Sequence, residues 1–234
     1  MTLFAVRVTI FTLLPLAVAG MILLIDRSSN TRERRIEVFL IFLFALGVAG
    51  SGIGGFFGHL FLSDQVAEAV GWSAGSPFQL EMGFANLALG VLGIIAVGRR
   101  DGFREATVIA VSIIGFGATT VHIMDIIDTG NLAPGNTIQN FANLVRPILL
   151  IGLLIAARKA ESKPDSEAGT IGFDQWRHPF GLLAGIVTAI VATGFGLGFG
   201  IGQPILATAA GIILSLVIAV IFIVRSPLHQ FCWE

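Results

Sequence analysis

Cysteine is nearly absent from this chain: Cys232 is the single thiol in 234 residues. That excludes a disulfide framework within the chain and argues against a cysteine-based metal site. Cys232 also lies one residue too near the C-terminus for a prenylation box. Charge is scarce as well, at 12% of residues against roughly a quarter in soluble domains. No basic tail or basic-aromatic stripe is present, which excludes nucleic acid as a partner. No serine or cysteine nucleophile motif supports acyl transfer. No internal repeat supports an inverted-repeat transporter. What fills the chain is apolar: 55% of residues are hydrophobic, and the mean hydropathy is +0.88.

The apolar residues fall in runs long enough to cross a bilayer. Seven spans are expected, at roughly 3–25, 37–62, 78–98, 106–127, 138–157, 180–201 and 204–224. The fold class is therefore all-α: a polytopic transmembrane bundle in one domain, residues 1–234. Its core helices cover about 37–157. A flexible cytoplasmic linker is expected over 158–178 and a helical hairpin over 180–224. The basic residues sort by loop. Arg27, Arg32, Arg34 and Arg35 follow span 1, and Arg99, Arg100 and Arg104 follow span 3. Arg158, Lys159, Lys163 and Arg177 follow span 5, and Arg225 follows span 7. All lie on one side of seven alternating helices, and the loops 63–77, 128–137 and 202–203 hold no basic residue. The positive-inside rule then puts the N-terminus outside and the C-terminus in the cytoplasm. Ala17-Val18-Ala19 resembles a signal-peptidase site, but the apolar run continues to Ile25, so span 1 is expected to stay. The expected location is the cytoplasmic membrane of a prokaryote, with the lipid bilayer as the first partner.

Two basic residues remain, Arg7 and Arg146. Arg7 is expected to snorkel to the outer interface. In span 2, Gly50, Gly54 and Gly58 have the spacing that lets a second helix approach, or a homo-oligomer or membrane-complex partner. After it, Asp64 is expected to cap a short helix to about Val70, with Trp72 as an interfacial anchor. Ser76 and Gln79 have capping-box spacing around Pro77 and predict the start of span 3. Asn136 and Gln139 repeat that spacing before span 5. There Gln139, Asn143 and Arg146 share a helix face. Gly194–Gly200 alternates glycine with apolar residues inside span 6, which reads as close helix packing rather than a nucleotide loop.

Charge at membrane depth is costly, and it usually marks a function or a partner. His59, Glu81, His122, Asp125 and Arg146 come from four spans. All lie about 5–12 Å below the expected outer boundary at 1.5 Å per residue. Three readings follow. In the first, the cluster is an ion-pair network, with Arg146 meeting Glu81 or Asp125. In the second it holds a cofactor. His59, Glu81, His122 and Asp125 would bind zinc, iron or manganese, or His59 and His122 would clamp a b-type haem. Asn86, Asn143 and Arg146 would support those ligands. In the third, the side chains relay protons or ions, although no ionisable residue continues the path inward. The cofactor reading is the functional expectation. It requires Glu81, His122 and Asp125 to point into the bundle with His59 in reach.

Several stretches carry a resemblance. They are Gly58-His59, Val70-Gly71-Trp72, Gly75-Ser76-Pro77-Phe78-Gln79-Leu80-Glu81, Asn86-Leu87, Gly115-Phe116-Gly117, His122, Asn131–Asn136 and Arg146-Pro147. Over residues 50–157 the chain resembles an uncharacterised family of prokaryotic multi-pass membrane proteins. The resemblance implies a membrane bundle and no particular activity.

Overall fold

The computed structural model describes residues 2–26 and 31–161. Within them lie six helices and no strand: α1 Leu3–Ile25, α2 Arg32–Phe61, α3 Ser63–Val70, α4 Phe78–Val97, α5 Gly102–Thr129 and α6 Pro134–Glu161. All but α3 are long and apolar enough to span a bilayer, and they match the first five expected spans. The two expected C-terminal spans, Cys232 and the linker from residue 162 onward lie outside the described residues.

The helix starts follow local chemistry. Thr2, Thr31 and Asp101 accept backbone N–H bonds at the heads of α1, α2 and α5. Gly71 and Gly130, at φ 82° and 72°, end α3 and α5 in the left-handed conformation that costs glycine little. Other boundaries correct the sequence reading. Span 2 begins at Arg32 rather than 37, because Arg34 and Glu37 find buried partners. α6 runs on to Glu161, past Arg158 and Lys159, where the linker was expected. Asp64 does not cap α3; its Oδ1 instead accepts from Gly75 N at 3.2 Å. Ser76 bonds Phe78 N two residues on, and Gln79 is buried, so the pair forms no capping box.

α2 is the central helix, with residues 40–50 almost wholly buried. One apolar cluster joins it to α1 through Ile10, Phe11, Ile22, Phe42 and Leu46. A second joins Leu40, Phe44 and Val48 to Ala96 of α4, Val108 and Val111 of α5 and Leu150 of α6. Span 1 therefore belongs to the core, not to its periphery as the sequence reading had it. Large apolar residues such as Ile94, Ile113, Ile127 and Ile148 stay exposed on α4–α6, as lipid-facing positions do.

Glycine sets how closely these helices meet. A Cβ on Gly52 would sit 2.6 Å from Asn86 O and Gly90 N of α4. A Cβ on Gly93 would sit 2.6 Å from Ala49 N of α2. The row predicted to receive a second helix receives α1 rather than α4: Gly50 and Gly54 take the Phe11 ring of α1, and Gly58 faces Val66 of α3. Two stretches are π-helical, Thr9–Leu13 in α1 and Leu43–Gly50 in α2, and they pack on each other. A π stretch turns the helix out of its usual phase and is frequent at functional sites.

One end of the bundle gathers the arginines. Arg34 Nη2 donates to Asp26 Oδ2 at 2.6 Å, tying α2 to the end of α1. Arg104 makes a two-pronged contact to Glu37, 2.8 Å on each prong, while its Nε donates to Ala96 O at 3.0 Å. Arg158 Nε donates to Glu105 Oε1 at 2.7 Å, linking α6 to α5.

Candidate functional site

The opposite end is held by a carboxylate that meets no cation among the described residues. Asp125 Oδ2 accepts from Trp72 Nε1 at 2.9 Å, Asn131 Nδ2 at 2.7 Å and Asn136 Nδ2 at 2.9 Å. Asn136 Nδ2 also donates to Asn131 O at 2.8 Å. With two acceptors facing that nitrogen, the amide has one orientation. Its Oδ1 then takes the His122 Nδ1 proton at 2.6 Å, and a neutral ring carries its lone pair on Nε2. The Trp72 ring stacks on His122, with centroids 5.3 Å apart and an interplanar angle of 19°. Trp72 is thus a contact between the loop and the bundle. Asn136 is fully buried one turn into α6. Asn131 Nδ2 reaches Val70 O at 2.9 Å, which ties α3 to the α5–α6 loop. Replacing Asn136 by leucine keeps the volume but strands the His122 N–H and two of its neighbours. A loss of about 1–3 kcal/mol is expected in thermal unfolding in detergent, and wild-type stability would refute the role.

The other expected ligands lie apart from this group. His59 Nδ1 donates to Gln79 Oε1 at 2.7 Å and packs its Cβ under Gly83. Glu81 is exposed on α4 and turned out of the bundle. Its place in the first turn faces the side chain away once Gln79 and Gly83 take the inner face. Among the described residues no three His, Cys, Asp or Glu side chains converge as a metal would require. Of the expected set, His122 and Asp125 share one network through Asn136, and His59 and Glu81 lie outside it.

Arg146 corrects the sequence reading more sharply. Among the described residues it meets neither Glu81 nor Asp125. Its Nη1 donates to Gly47 O at 2.6 Å, in the π-helical stretch of α2, and to Ser51 Oγ. The Arg146 stem packs on Gly47: a Cβ there would touch Arg146 Cδ at 3.6 Å, an ordinary van der Waals contact. The guanidinium faces a cavity of about 80 Å³ near the middle of the bundle. Arg7, Ser51, Asn86, Gln139 and Asn143 supply its other polar walls, and Pro147 and Gly115 close it beneath. Gln139 Nε2 donates to Asn143 Oδ1 at 3.0 Å, so the predicted polar face of α6 lines this space. Asn86 Nδ2 donates to Met82 O at 2.7 Å, and its amide lies over Gly55. Arg7 also lines the cavity and lies beside the Phe4 ring, 5.7 Å from its centroid, instead of snorkelling. The signal that could have found it is simple. Arg7 and Arg146 are the two cations left inside apolar spans once the basic loops are set aside.

These features define a membrane protein of the helical-bundle class, with five candidate spanning helices and a polar cavity between them. Residues 7–163 match the family of unknown function DUF6790, and the chain belongs to it. No curated protein and no solved structure matches it.

Proposed function

We propose that the protein binds a small polar solute in the cavity between α1, α2, α4, α5 and α6. The bundle sits with its arginine-rich end in the cytoplasm. The observation that carries this reading is the convergence of Arg7, Ser51, Asn86, Gln139, Asn143 and Arg146 at mid-bundle. Arg146 is the thirteenth residue of α6, roughly 18 Å along the helix at 1.5 Å per residue. Polar side chains at that depth line solute paths or meet each other, because lipid offers them no partner. The His122–Asn136–Asp125 network serves this site from outside it. It holds α3 and the Trp72 loop against the end of the bundle, as a fixed rim. His59 with Gln79 joins α2 to α4 in the same way.

A thiol-accessibility experiment tests the reading. In a Cys232→Ser background, Asn143→Cys is expected to react with a small neutral methanethiosulfonate in intact vesicles. Leu144→Cys, exposed on the lipid side of α6, is expected to stay unmodified, since a thiol needs water to ionise. Equal protection of both positions would show that no water reaches the cavity and would overturn the reading.

A further inference from the structure

We infer that the solute is a small oxyanion, held between Arg7 and Arg146. This rests on the solute-binding reading above and adds the sign and chemistry of the ligand. The argument begins with charge. Every lining residue of the cavity is neutral except these two arginines. Among the described residues neither guanidinium meets a carboxylate: the ion pairs there belong to Arg34, Arg99, Arg100, Arg104 and Arg158. Arginine does not escape by losing its proton, because its guanidinium stays charged in proteins. The two cations therefore persist in an apolar bundle and repel each other. A charge held within an apolar bundle is unfavourable until an opposite charge joins it.

The hydrogen-bond inventory points the same way. Arg146 Nη1 is taken by Gly47 and Ser51, which sets the fork of the guanidinium in one orientation. Its Nε is buried without a partner among the described residues. Gln139 Oε1, on the same helix face, is a buried acceptor also without one. An oxyanion that keeps one proton satisfies both kinds of group. Its oxygens accept from guanidinium N–H groups, and its O–H donates to an amide oxygen. Bicarbonate and dihydrogen phosphate have this pattern, and a small carboxylate has the accepting half of it. A space of about 80 Å³ suits a compact anionic head. The accepting half of this chemistry is carried both by a free oxyanion and by the phosphodiester of an anionic lipid.

The test uses the full-length protein purified in a neutral detergent, with gluconate as the ionic-strength control. Bicarbonate, acetate or phosphate is expected to raise the thermal midpoint saturably, by at least about 3 °C over gluconate. Adding phosphatidylglycerol in place of the salts separates the sources: a rise with lipid alone assigns the oxyanion to a headgroup. Arg146→Gln and Arg7→Gln should each remove the response. Arg146→Lys, which keeps the charge but loses the fork, should weaken the half-saturating concentration at least about tenfold. Asn143→Asp supplies a carboxylate from within the cavity. It is expected to raise the midpoint in gluconate and to abolish the anion response, whereas an ordinary buried carboxylate lowers stability. No rise with any oxyanion or with lipid would overturn the proposal, as would a response that survives both glutamine variants. If Arg146→Gln does not fold, Arg7→Gln, Arg146→Lys and Asn143→Asp still decide it. Modification of Asn143→Cys with no oxyanion response would sink the anion alone; no modification would sink the solute site with it.

Discussion

Arg104→Ala is expected to cost about 3–5 kcal/mol, the range for breaking a buried ion pair by removing one partner. Arg104 is 3% exposed, and Glu37 is 5% exposed. The guanidinium does two things at once. It neutralises Glu37 of α2 through both prongs, and its Nε binds Ala96 O in the last turn of α4, where helix carbonyls lack internal partners. Its flat face also lies over the Phe44 ring, 5.5 Å from the centroid. Alanine leaves a carboxylate buried among α2, α4 and α5 with, among the described residues, only the half-exposed Arg100 beside it, whose Nε lies 3.3 Å from Glu37 Oε1. Replacing both Arg104 and Glu37 by leucine should recover much of the loss, because no charge is then stranded. Thermal unfolding of the two single variants and the double variant measures this directly. A loss under about 1 kcal/mol for Arg104→Ala would show that the pair is solvated after all.

Gly52→Ala is the second large effect, and it comes from the smallest addition a side chain can make. The new Cβ would meet Asn86 O and Gly90 N at 2.6 Å and Gly90 Cα at 2.7 Å. These are backbone atoms of α4, so no rotamer change relieves the contact. The helices must separate along the face that carries Asn86, which is also a wall of the cavity. An overpacking loss of about 1–3 kcal/mol is expected, together with a changed reactivity of Asn143→Cys. Gly20→Ala is the control. Gly20 also sits inside a helix, but nothing lies within 4 Å of its Cβ position. There alanine should be neutral or stabilise by about 0.5–1 kcal/mol through helix propensity. Equal behaviour of the two variants would remove the case for a glycine-set helix contact.

The two arginines at the cavity and the Arg104–Glu37 pair show where sequence reasoning reached and where it stopped. Span positions were legible because hydrophobic runs answer to bilayer thickness, a property of the chain alone. The basic loops were legible for a similar reason, and in the structure the described arginines of those loops gather at one end. Shared depth was not: it grouped His122, Asp125 and Arg146, whereas the structure sets the His122–Asp125 network at one end of the bundle and Arg146 at the thirteenth residue of α6. Nor was azimuth. Depth put Glu81 among the candidates, yet its neighbours Gln79 and Gly83 take the inner face of α4. The eight π-helical residues of α2 shift its phase midway, which a 3.6-residue period does not foresee.

Composition and periodicity by themselves determined a helical membrane protein, the first five spans and the polar face of α6 bearing Gln139, Asn143 and Arg146. They did so because burial in lipid forces backbone bonds within each helix and makes every interior charge conspicuous. Only the tertiary structure decided the partners. It gave Asp125 three neutral donors in place of a cation, and gave Arg146 a backbone carbonyl and a hydroxyl in place of a carboxylate. It turned Arg7 inward to share the same cavity. Partner choice depends on how five helices rotate against one another, and that rotation is set by glycine contacts between chain segments far apart in sequence.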